Sequence, residues 1–200
     1  LFGASYCDMT VSNSTFDGTA FPGCYLRQES IYGAGTGPQR EAVLQRLGLE
    51  NTLVLENNRF NRVGGEIQGH TAIIRNNVFL NAGKALFVMA PFAVVENNVL
   101  TNCGWADPNG GRSAALCIGY NSDKQRRYVV ANNLVRFNED YLEAGMLETI
   151  NPTQYYGIYV QGINAQIQLL NNRAEGFYRF PQVKGAAQNA GNFRDWNSPN

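Results

Sequence analysis

No excess charge of either sign runs through this chain: 16 basic residues balance 16 acidic ones in 200. That balance argues against a tail or patch for polyanions, and no basic-aromatic stripe points to nucleic acid. No apolar run approaches the ~18 residues a membrane span needs, so none is expected. The sequence shows neither an initiator Met nor a signal peptide, as a mature form or an excised segment would. Cysteine is sparse, and Cys7, Cys24, Cys103 and Cys117 match no zinc-ligand spacing. Two short disulfide loops, Cys7–Cys24 and Cys103–Cys117, fit an oxidising compartment, and four free thiols fit the same spacing. Lysine is scarce while Asn, Gly and Tyr abound, a composition expected of a secreted, periplasmic or surface protein.

What the chain does have is repetition. TLVLENNRFNRVGG, TAIIRNNVFLNAGK and FAVVENNVLTNCGW state one phrase three times: alternating apolar residues, an Asn-Asn pair, a short apolar pair, then a polar turn near Gly. Fainter copies surround Asn13, Asn132 and Asn171. The first Asn recurs after 19 and 21 residues in the core, then after 35 and 39, one turn plus an insertion each time. A period near 20 in short alternating runs is the signature of a solenoid built of strands.

Between the Asn pairs lie GEIQG, ALFVMA, AALCIGY and GIYVQG, with CYLRQ and FPQVK as outer members. One coil therefore reads as three short strands, with an Asn bend before the third. Stacked coils about 4.8 Å apart would satisfy one another's backbone groups. The bend needs a residue that tolerates the left-handed region, and Asn is the best choice after Gly. Asn57, Asn76, Asn97, Asn132 and Asn171 are expected in one stack, and an inward Asn could bond its equivalent one coil away. The expected interior rows hold Leu53, Leu55, Phe60, Ile67, Ile73, Phe79, Val88, Val94, Leu100, Ile118, Val129, Ile158, Val160 and Leu169.

The repeat defines one domain over 1–185, with insertions at 29–50, 102–113, 121–127 and 138–155 and a tail or cap over 186–200. Helical spacing is expected in EAVLQRLGLE and in a turn near 143–147. GAGTG lacks the Lys-Ser/Thr that a phosphate cradle needs and reads as loop-shaping glycine. No amphipathic helix precedes the first coil, so upstream chain or another subunit is expected to cover that end. All four insertions flank the GIYVQG-type strands, and long loops on one side of a rigid scaffold usually build a site.

The ENNxF and GIYVQG phrases, over about residues 9–185, resemble right-handed parallel β-helix proteins of the pectate-lyase-like superfamily. The resemblance implies an all-β, right-handed parallel β-helix of about six coils, and a function directed at glycans. It matches no single enzyme of that superfamily. QGHT covers half of one hydrolase phrase, and no Asp lies on the expected strands to give paired carboxylates. Lyases of this fold use a Lys or Arg base, in some with a calcium ion, and Glu66 in GGEIQG is similar to one such phrase. A lyase or epimerase on an acidic polysaccharide would thus draw its catalytic groups from Arg27, Glu66, His70, Tyr159 and Lys184, with Lys84 a further base. Tyr25, Gln68, Phe87, Trp105 and Gln161 would bind the substrate by stacking and amide contacts. The competing expectation is a non-catalytic β-helix module, glycan-binding or structural, of a larger secreted, surface or phage-like protein.

Overall fold

Alternating apolar residues in runs of three to six, broken by Asn and Gly, give short strands that cannot stand alone. Each must find its hydrogen-bond partners in another part of the chain. In the computed structural model, backbone is described for residues 2–5, 8–18, 25–29, 52–67, 69–83, 86–104, 114–119, 126–138, 156–161, 165–176, 182–184, 187–190 and 193–194. Side chains are described for 8–18, 52–67, 69–83, 86–104, 114–119, 126–138, 157–160 and 165–176. Among these residues there are strands and no helix. The helical spacing at 41–50, the turn at 143–147 and the GAGTG loop lie outside them.

The chain visits three sheets in rotation, and each sheet takes every third strand. The first holds β1 (Phe2–Ser5), β4 (Tyr25–Glu29), β7 (Gly64–Ile67), β10 (Leu86–Val88), β13 (Ala114–Ile118), β16 (Tyr156–Gln161) and β19 (Gln182–Lys184). The second holds β2 (Met9–Ser12), β5 (Thr52–Glu56), β8 (Thr71–Arg75), β11 (Phe92–Glu96), β14 (Arg126–Ala131), β17 (Ala165–Leu170) and β20 (Ala187–Ala190). The third holds β3 (Thr15–Asp17), β6 (Arg59–Asn61), β9 (Val78–Leu80), β12 (Val99–Thr101), β15 (Leu134–Arg136), β18 (Arg173–Glu175) and β21 (Phe193–Arg194). Every pairing is parallel, including Leu55↔Ile74, Val95↔Ile74 and Val95↔Val130 in the second sheet. The arrangement is all-β and compatible with a β-solenoid.

Seven strands per sheet exceed the expected six coils or so. The difference lies at the ends, where β1 and β20–β21 pair in register although the Asn-Asn phrase has faded. Parallel pairing is a backbone property, so it can outlast the side-chain pattern that advertises it.

The Asn pair divides its work between its two members. Asn57, Asn76, Asn97, Asn132 and Asn171 are exposed and left-handed, with φ between 51° and 58°. The backbone N–H of Asn76 donates to Glu96 O at 3.2 Å, and that of Asn97 to Ala131 O at 3.0 Å, so these bends stack as expected. The second Asn turns inward. Asn58, Asn77, Asn98, Asn133 and Asn172 are all 2 % exposed or less. Each Nδ2 of the first four donates to the next Oδ1 along the stack, at 2.9–3.0 Å. Each Nδ2 also donates to a main-chain carbonyl one coil back, as Asn98 does to Ile74 O at 2.9 Å. The Oδ1 atoms also accept a backbone N–H, Asn77 N to Asn98 Oδ1 at 2.9 Å for example. These buried amides are satisfied, which is the condition for burying them at all.

Inside, Phe16, Phe60 and Phe79 stack with centroids 5.0 and 4.6 Å apart and rings nearly parallel. Leu53, Leu55, Phe60, Ile67, Phe79, Val88, Leu100, Ile118, Ile158, Val160 and Leu169 are buried as expected. Ile73, Val94 and Val129 are not core residues. The interior row is Leu53–Ala72–Ala93–Tyr128–Ile167, followed by Leu55–Ile74–Val95–Val130–Leu169. With apolar residues on both faces of TAIIR and FAVVE, alternation alone does not fix which face is in. Register with Leu53 and Leu55 does.

Gly104 closes the turn after β12 at φ +80°, where an added Cβ would lie 1.9 Å from Ala114 O. No residue with a side chain fits that position.

The disulfide Cys103–Cys117 is not formed. Neither cysteine is in a disulfide, and both are buried. Cys103 Sγ lies in the interior, 3.4 Å from Thr101 O and 3.6 Å from Phe79 O. Cys117 belongs to a separate apolar cluster on the other face of the first sheet, so the sheet itself stands between the two thiols. Cys7 and Cys24 fall outside the described residues.

Candidate functional site

In the first sheet, Leu86 and Val88, Leu116 and Ile118, and Ile158 and Val160 all face the interior. The residue between each pair faces out. Register then puts Glu66, Phe87, Cys117 and Tyr159 on one outward row, with Arg27 and Gln182 at the matching register positions of β4 and β19. Of the sequence candidates, Arg27, Glu66, Phe87 and Tyr159 stand on this row. Gln161 and Lys184 are paired two residues further along the strands, and Tyr25 pairs with Gly64 two residues before it. For Arg27, Tyr25, Gln161 and Lys184 the backbone position is described. Gln68, Lys84 and Trp105 lie outside the described residues.

The middle of the row is closed to solvent. Tyr159 is 4 % exposed and Cys117 1 %, clustered with Ala114 and with half-buried Phe87. Every residue of β13 is buried, so the first sheet is covered on both faces there. Glu66, one strand beyond Phe87, is half-buried. Tyr159 in this setting is a packed side chain.

His70 stands apart from the row. It sits at the corner after β7, its ring tilted against Phe92 with centroids 5.0 Å apart and its Nδ1 3.2 Å from Thr71 Oγ1. Phe92 is exposed on the outer face of the second sheet, so His70 belongs with that face. His70 and Tyr159, both candidate acid–base groups, thus stand on different faces.

Among the described residues no three His, Cys, Asp or Glu side chains come together as metal ligands. A calcium ion has no cluster of carboxylates to hold it there, and Glu66 alone is not a cage.

One buried polar pair escaped the sequence reading. Arg126 and Arg127 were expected in an insertion, but they open β14. Arg126 shares the parity of Tyr128 and Val130, turns inward and is 8 % exposed. Its Nη1 donates to Tyr128 Oη at 3.3 Å and to Met89 O at 3.4 Å. Burial pushes the Tyr128 hydroxyl above its ordinary pKa of 10.0, against the opposing pull of Arg126. The signal was present in the alternation of RRYVVA, which places positions 126, 128 and 130 on one face.

The fold and the row define a parallel all-β protein with a covered outer cluster on one sheet. Comparisons with protein-family models, with characterised proteins and with solved structures found no match to this chain.

Proposed function

We propose that this chain is a right-handed parallel β-helix of the pectate-lyase-like type, acting outside the cytoplasm on an acidic polysaccharide through the outer side of its first sheet. The observation that carries the reading is the register of Arg27, Glu66, Phe87 and Tyr159 on one row, with four long insertions entering or leaving the coils beside it. Rings stack on pyranose faces, and charges and amides bind hydroxyl and carboxylate groups.

In its catalytic form the reading is a lyase or epimerase. A base removes the C5 proton of a uronate. In elimination the C4–O bond then breaks, a C4=C5 double bond forms, and the leaving oxygen takes a proton. In epimerisation the proton returns to the opposite face. Arg27 and Lys184 are the proposed bases, Glu66 the group that holds the substrate.

A second reading is favoured by the burial of Tyr159 and Cys117: a non-catalytic β-helix module that binds glycan or serves a larger assembly. One screen separates the two. Uronate polymers are mixed with the protein, absorbance from unsaturated products is followed, and binding of acidic oligosaccharides is measured by calorimetry with wild type, Arg27→Ala and Glu66→Gln. Rising absorbance that both variants abolish supports the lyase. Binding that both variants weaken, without product, supports the glycan-binding module. Absence of binding to every acidic and neutral glycan tried overturns the glycan reading and leaves a structural module.

A further inference from the structure

Arg126 is a cation turned into a solenoid-like interior without a carboxylate partner among the described residues. Its two hydrogen bonds, to Met89 O and Tyr128 Oη, are long at 3.4 and 3.3 Å, and both use Nη1. Its buried Nε–H has no acceptor among the described residues. A guanidinium that is nine-tenths buried with no carboxylate beside it is unfavourable unless another group compensates its charge.

Tyr128 supplies a second donor at the same place. Its hydroxyl accepts from Arg126, so its own O–H proton is directed elsewhere, and no acceptor for it is found among the described residues. Tyr128 is fully buried, and its raised pKa keeps it neutral, so it offers a proton and no counter-charge. Two buried donors, one bearing a positive charge, thus share one corner between the first and second sheets. The corner is held by Arg127 N donating to Pro91 O at 3.1 Å.

We propose that Arg126 Nε–H and Tyr128 Oη–H form a binding site for one small monovalent anion, a halide or the carboxylate of a one- or two-carbon acid. The single unpaired positive charge matches one negative charge, and a divalent oxoanion would leave the interior with a net negative charge. The enclosure, with Tyr128 fully buried and Arg126 8 % exposed, excludes a sugar ring. The site is therefore independent of the glycan reading. The bound anion completes the corner at which β14 begins, and it couples the stability of the second sheet to the anion concentration outside.

The test is thermal unfolding of the full chain with sodium chloride or sodium formate titrated in, ionic strength being held constant with gluconate, too bulky for this site. The wild-type midpoint should rise saturably with chloride or formate, as linkage to native-state binding requires. Arg126→Met should show no such rise, and Tyr128→Phe should show it with at least a fivefold weaker apparent affinity. If Arg126→Met does not fold, chloride-35 NMR line broadening on wild type, reversed by formate and reduced in Tyr128→Phe, decides the matter. A response to formate alone supports the site and assigns it to carboxylates. No saturable response in wild type, or an equal one in Arg126→Met, overturns the proposal and makes the pair a hydrated polar contact.

Discussion

Two adjacent asparagines with opposite duties explain why the phrase is Asn-Asn. The first accepts a backbone conformation that most residues resist, and the second fills four hydrogen-bonding roles in the interior. At Asn97 (φ 56°) the left-handed backbone penalises a Cβ-bearing residue without a compensating amide. Asn97→Ala should cost about 1–2 kcal/mol, and Asn97→Gly distinctly less, in denaturant unfolding. Asn98 is different because its neighbours depend on it. Asn98→Ala would leave the buried Asn77 backbone N–H without the Oδ1 that accepts it and take the Asn98 Nδ2 donor from Ile74 O and Asn133 Oδ1, and should cost about 3 kcal/mol. If Asn98→Ala proves as mild as Asn97→Gly, the ladder is not formed. Cys103 gives a pH-dependent check. Burial pushes its thiol up from 9.0 to about 12, so the fold favours the neutral form. Its contribution is complete below pH 9 and is lost as pH rises toward 12, because the unfolded chain ionises first. Wild type should lose about 2 kcal/mol more than Cys103→Ala between pH 8 and pH 10.5, measured by denaturant midpoint. Equal losses would contradict the burial.

Strands this short are decided by register, and register is where reading the chain alone falls short. The three-strand coil, the Asn bends and the Phe60–Phe79 stack were legible, because each rests on a period that sequence displays. The face of β8, β11 and β14 was not, since Ile73, Val94 and Val129 are as apolar as the residues beside them. A measurement separates neighbours cleanly. Ile74→Ala should cost about 2–5 kcal/mol, the range for a buried aliphatic residue, while half-buried Ile73→Ala should cost under about 1.5 kcal/mol. The reverse order would restore the slipped register. Arg126 was hidden for a related reason: a charged residue in SDKQRR reads as solvated loop until Tyr128 and Val130 fix its parity.

Over the whole molecule, three parallel sheets share one interior, and function must be sought on the outside. The candidate row was legible as an alternation, and its register holds from Arg27 to Gln182. Its closure was not legible, because alternation says which way Tyr159 and Cys117 point and nothing about what lies over them. That closure separates a catalytic groove from a binding or structural module, and the glycan screen addresses it. The central structural claim, that distant repeats lie one above another, has a direct test. Arg59 and Arg173 are exposed on the third sheet and belong to one row, Arg59–Val78–Val99–Leu134–Arg173. Four strand spacings of about 4.8 Å put their Cα atoms roughly 19 Å apart. Double electron–electron resonance between spin labels at Arg59→Cys and Arg173→Cys, with the native cysteines replaced, should give one narrow distribution near that separation, widened by the label arms. A broad distribution, or one centred beyond about 35 Å, would contradict the stacked register.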